Sequence, residues 1–106
     1  MKDDILQLSR ELINTLNTEG IDYCLWKNND VLLSALTGDD DIDILVREDQ
    51  YPRFFDIIST LDFKRVVNPA NEIPSIFHFY GMDLQSGRII HLHVYIKIFT
   101  GEHIIK

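Results

Sequence analysis

Apolar residues Ile5, Leu8, Leu12, Ile13 and Leu16 recur at helical spacing between Asp3 or Asp4 and Thr18, with acids ahead of them and Gly20 behind. That pattern predicts an amphipathic first helix. Ile21-Asp22-Tyr23-Cys24-Leu25-Trp26-Lys27 is rich in aromatic and branched residues and follows a glycine, so it reads as a strand. Asn28-Asn29-Asp30 can cap a short second helix from Val31 to Leu36, closed by Thr37-Gly38. A strand from Asp41 to Val46 follows. Asp49 offers a cap to a third helix carrying Tyr51, Phe54, Phe55, Ile57, Ile58 and Leu61, with Pro52 tolerated in its first turn.

The second half of the chain reads mainly as strands. Phe63 to Val67 predicts a short one, and Pro69 and Pro74 punctuate the loop after it. Ile76 to Leu84 and Arg88 to Ile98 predict two strands joined through Gln85-Ser86-Gly87 as a hairpin. Helices alternate with strands and then give way to them, which predicts an α/β (α+β) domain with a mixed sheet of about five strands and helices packed against it.

Within this pattern one stretch carries chemistry. Gly38-Asp39-Asp40-Asp41-Ile42-Asp43-Ile44-Leu45-Val46 runs a clump of acids into an apolar strand. Strand alternation sends Asp41 and Asp43 to one face and Ile42 and Ile44 to the other. Two carboxylates held side by side repel each other and favour a bound cation, so the pair is a candidate metal site. Further on, Ile89-Ile90-His91-Leu92-His93-Val94-Tyr95 alternates in the same way and puts both histidines on one face. His78, between Phe77 and Phe79, reads as a packed or surface histidine. Trp26, Phe77, Phe79 and Tyr80 read as core rather than as a base-stacking platform.

The 106 residues, 45% hydrophobic and 25% charged, fit a single domain over 1–106. The formal charge of −7 argues against a dedicated nucleic-acid surface, which needs a basic patch. A nucleotide remains open as a substrate, because six acids lie between Asp39 and Asp49 and metal ions can mediate to a polyphosphate. No apolar run is long enough for a membrane span, and Met1-Lys2-Asp3-Asp4 lacks the apolar stretch of a signal peptide, so the expected setting is cytoplasmic with no membrane partner. Cys24 is the only cysteine, makes no internal disulfide and reads as a small core residue. The ending Thr100-Gly101-Glu102-His103-Ile104-Ile105-Lys106 reads as a cut inside a longer protein, of which this would be the N-terminal part.

From Ile21 to Ile98, with Lys27-Asn28 at the turn before the short helix and Asp41-Ile42-Asp43 on the following strand, the chain resembles the nucleotidyltransferase superfamily, whose fold is shared with DNA polymerase beta. That family carries a strand, a Gly-Ser turn opening a short helix, an Asp-hydrophobic-Asp strand and a third acid on a later neighbouring strand. The resemblance implies that Asp41 and Asp43 ligate a divalent cation, magnesium or manganese. It implies that Lys27 and Asn28, standing where Gly-Ser is usual, contact the phosphates of a nucleoside triphosphate. It implies that His91 or His93 takes the place of the third acid, with His91 as a further metal ligand. An uncharacterised branch with a Trp-Lys-Asn turn and a His-Leu-His strand is closer still.

The reaction so implied is metal-dependent transfer of a nucleoside monophosphate to an unknown acceptor, with Asp41, Asp43, His91 and His93 as the catalytic set. Two-metal chemistry needs carboxylates to bridge its cations, and a neutral imidazole supplies one nitrogen and no charge. Manganese or zinc accepts that nitrogen more readily than magnesium does. The alternative is a catalytically degenerate module of the same fold with a nucleotide-binding, regulatory or interaction role. A metal-dependent hydrolase using His78, His91, His93, Asp41 and Asp43 is a third reading, with no motif of fixed spacing behind it.

Overall fold

The computed structural model describes residues 5–25, 36–37, 41–67, 76–96, 98–100 and 103–105. Trp26, Lys27, Asn28 and nearly all of the expected second helix lie outside the described residues. Helix α1 spans Gln7–Thr18, strand β1 Tyr23–Leu25 and strand β2 Ile42–Val46. A 3-10 turn over Glu48–Gln50 leads into helix α2, Tyr51–Thr60, and then β3 (Lys64–Val66), β4 (Ile76–Met82) and β5 (Ile89–Tyr95). Two further short strands, β6 (Ile98–Thr100) and β7 (His103–Ile105), pair antiparallel as a separate ribbon, where the sequence pattern gave no element past Ile98.

The five-stranded sheet has the order β1-β2-β5-β4-β3. β2 and β5 run parallel, and the β1–β2, β4–β5 and β3–β4 pairs are antiparallel, so the sheet is mixed as the element order predicts. Alternation then sorts each strand into two faces. Ile42, Ile44 and Val46 of β2, Ile90, Leu92 and Val94 of β5 and Phe79 of β4 are buried in one core with Leu8, Leu12 and Leu16 of α1 and Phe54, Ile57 and Ile58 of α2. Full burial of side chains of this size stabilises by about 1.5–3 kcal/mol each, so this face holds the helices to the sheet. The opposite face carries Asp43, His91, His93 and His78.

The helix ends explain where the elements stop. After α1, Gly20 sits at φ 73°, with its N–H donating to Asn17 O and that of Ile21 to Leu16 O, the paired bonds of a Schellman cap. Asp62 takes the same position after α2 at φ 67°, with Asp62 N–H on Ser59 O and Phe63 N–H on Ile58 O. At its start, α1 has no acid in the first turn and no side-chain cap of its own. The buried Asp83, 75 residues away, accepts from Leu8 N–H at 2.8 Å and, through its other oxygen, from Ser86 N–H at 2.9 Å.

Two expectations need correcting. Cys24 is exposed, because β1 is an edge strand on which Tyr23 and Leu25 turn to the core and the residue between them turns away. Asp49 does not cap the following helix, since the 3-10 turn intervenes and its carboxylate takes Arg47 Nε at 2.6 Å instead.

Candidate metal centre on the β2–β5 strand pair

Register builds the site. Asp43 of β2 lies opposite His93 of β5, and His93 lies opposite His78 of β4, so the three form a row across neighbouring strands. Residues paired this way on one face have Cβ atoms about 4.5–5.5 Å apart, within reach of one another's side chains. His91 and Tyr80 form the next row, and Asp41 extends the β2 face at the end nearest His91. The two aspartates and the two histidines of β5 therefore meet on the face opposite the helices.

The contacts are specific to ring atoms. Asp41 Oδ1 lies 3.1 Å from His91 Nδ1, and Asp43 Oδ1 lies 3.2 Å from His93 Nδ1. The other nitrogens turn toward each other, with His91 Nε2 and His93 Nε2 3.0 Å apart. Asp41 Oδ2 lies 3.5 Å from that same His93 Nε2. One ring nitrogen of each histidine therefore lies beside a carboxylate oxygen, while the two Nε2 atoms face each other. Two acceptor lone pairs at that separation repel unless one positive charge, a proton or a metal ion, is shared between them.

His78 joins this group, a convergence that only the third, hydrolase reading of the sequence allowed. Its ring meets His93 edge-on, with centroids 4.6 Å apart, and one ligand nitrogen from each of His78, His91 and His93 lies within 4.8 Å of the others. The signal was its parity with Tyr80 on one strand, but only the pairing of β4 with β5 brings that face to His93. Tyr80, read as core, instead stacks on His91 at 4.2 Å between centroids and 11° between planes, fixing the ring from outside.

Asp41 is the most accessible member of the cluster, with 43% of its side chain exposed, against 17–24% for Asp43, His91 and His93. The site is open at one edge and half-buried elsewhere. Burial pushes His93 below the usual imidazole value, the neighbouring His91 and His78 rings push the same way, and Asp41 and Asp43 pull against them. Tyr95, further along β5, is raised by burial and then by the charges of Asp43 and Asp41.

Chemically, a pair of carboxylates beside three imidazoles is a donor set for a divalent cation with nitrogen affinity. Lys27 and Asn28, the expected phosphate contacts, lie outside the described residues. Among the described residues, no helix is long and apolar enough to cross a membrane. Comparison with known proteins finds no matching family model, no matching curated protein and no matching solved structure.

Proposed function

We propose that this domain is a metal-dependent nucleotidyltransferase, in which the cluster of Asp41, Asp43, His91 and His93 holds a divalent cation that organises a nucleoside triphosphate. One observation carries the reading. The Asp-x-Asp strand has as its parallel neighbour the later strand β5, and the residue in register with Asp43 is His93. A later strand beside the Asp-x-Asp strand is where the resembled family places its third metal-binding group.

In this reading the cation draws the triphosphate to the open edge of the sheet, and the turn at Lys27 and Asn28 contacts its phosphates. Charge neutralisation at the transferred phosphoryl group and alignment of the acceptor supply the rate. Two carboxylates balance one dication, and imidazole in place of the third acid adds no further charge, so the arrangement suits one cation rather than a closely spaced pair.

The test is pyrophosphate release from nucleoside triphosphates with manganese or zinc across a panel of acceptors. Wild type should release it, and the Asp41→Asn, Asp43→Asn double variant should not. Equal behaviour of the two would overturn the assignment. The imidazoles at the third-acid position favour a second reading, a non-catalytic nucleotide-binding module. That reading stands if the wild type binds nucleotide, the double variant does not, and no acceptor yields pyrophosphate.

A further inference from the structure

The geometry points to a site for a zinc-class cation, with His78, His91 and His93 as nitrogen ligands and Asp41 as the oxygen ligand, while Asp43 acts through His93. This refines the cation half of the proposed function and does not depend on the nucleotide.

The argument begins with distances. A tetrahedral zinc ion bonded to nitrogen at about 2.0–2.1 Å places its ligand atoms about 3.3 Å from one another. His91 Nε2 to His93 Nε2 is 3.0 Å, and His93 Nε2 to Asp41 Oδ2 is 3.5 Å. Two edges of the tetrahedron are thus nearly in place. The third imidazole lies within reach, since the three ligand nitrogens fall within 4.8 Å of one another.

The outer contacts point the same way. A ligating histidine ordinarily passes its other ring N–H to a carboxylate, which fixes the tautomer and raises the basicity of the ligating nitrogen. Here both β5 histidines have a carboxylate oxygen close to the other ring nitrogen, Asp41 Oδ1 3.1 Å from His91 Nδ1 and Asp43 Oδ1 3.2 Å from His93 Nδ1. The result is that both Nε2 atoms are aimed at one point. Asp41 Oδ2 lies 3.5 Å from His93 Nε2, on the side of that ring the cation would occupy. Tyr80 stacked on His91 limits rotation of that ring away from the site.

Metal preference follows from the donors. Three imidazoles and one carboxylate oxygen suit zinc and its neighbours, whereas magnesium keeps an all-oxygen octahedral shell and takes imidazole poorly. Asp41, at the solvent-exposed edge, completes a four-coordinate shell, so a phosphate oxygen enters by expansion to five-coordination or by displacing that carboxylate.

The test uses the whole chain with zinc alone. X-ray absorption at the zinc edge of the loaded wild type should show three imidazoles and one oxygen donor in the first shell; fewer than three imidazoles overturns the assignment. In calorimetric titration, zinc should bind one per chain, magnesium should not compete, and His78→Ala should weaken zinc by more than about 100-fold, beyond the 10–100-fold that loss of an outer-shell partner costs. Unchanged zinc affinity in His78→Ala overturns the role of His78. Absence of zinc binding in the wild type, with only a shared proton between the β5 histidines, overturns the site. Zinc binding without any nucleotide binding leaves this site standing and defeats the nucleotidyl-transfer reading, so the two failures are distinct.

Discussion

Asp43 and His93 face each other across a parallel strand pair, with a carboxylate oxygen 3.2 Å from Nδ1 of the ring. The contact sets a carboxylate beside one ring nitrogen of His93 while the other, Nε2, faces His91 Nε2 at 3.0 Å. Asp43→Asn keeps the shape and hydrogen-bonding capacity of the residue but removes its charge. Zinc affinity should fall about 10–100-fold, the usual cost of an outer carboxylate partner, with the thermal unfolding midpoint in chelator little changed. Calorimetry on both proteins checks it, and equal affinities would remove Asp43 from the site.

Asp83 closes the other end of the fold, joining Leu8 N–H at the start of α1 to the β4–β5 turn at Ser86. Burial pushes its carboxyl up, but the hydrogen bonds from Ser86 and from Leu8 N–H outweigh that and hold it below the usual carboxylate range. Asp83→Ala leaves two donors unmet and should cost about 1–3 kcal/mol by urea denaturation at neutral pH. Because the folded value is depressed, the charge contributes stability above the unfolded carboxylate value of about 4, and that contribution is lost as pH falls through the lower folded value. The gap between wild type and Asp83→Asn should therefore narrow at acid pH. A gap that widens there would contradict the assignment.

Gly81 lies where β4 passes under Phe63. A Cβ built on it would sit 2.7 Å from two atoms of that buried ring and 3.1 Å from Leu8 Cδ2. Gly81→Ala should destabilise by about 1–3 kcal/mol, the ordinary cost of overpacking, because the ring is wedged between sheet and helix and cannot withdraw freely. A urea midpoint equal to that of wild type would show that Phe63 yields.

Asp62 occupies a left-handed position that Gly20 occupies at the end of the other helix. Asp62→Gly should raise stability by about 0.5–1 kcal/mol, since glycine meets no Cβ penalty there, and Gly20→Ala should lower it by a similar amount. Denaturant midpoints moving in opposite directions check the pair; the same direction for both would contradict the Schellman reading.

Much of this molecule is written in local periodicity. The apolar positions of α1 and α2 are spaced for one helical face, and the period-2 strands give both the buried Ile42, Ile44, Leu92 and Val94 and the outward Asp43, His91 and His93. What periodicity cannot carry is pairing between strands far apart in sequence. That β5 inserts beside β2, with Asp43 against His93, is a tertiary fact. His78 joins the cluster only because β4 follows β5 into the sheet in that register. The same limit applies to Asp83, whose partner Leu8 N–H lies at the opposite end of the chain, and to Cys24, whose exposure depends on β1 being an edge strand. Asp49 shows the reverse case, a residue with cap chemistry drawn away by a local arginine.

The shared focus of His91 Nε2 and His93 Nε2 is most directly tested by nitrogen-resolved NMR of the histidine rings during zinc titration of the full chain. At one equivalent, the Nε2 resonances of His91, His93 and His78's ligating nitrogen should move together to metal-bound positions while His91 Nδ1 and His93 Nδ1 stay protonated against Asp41 and Asp43. Ring resonances that do not move with zinc, or metal on the Nδ1 atoms, would contradict it.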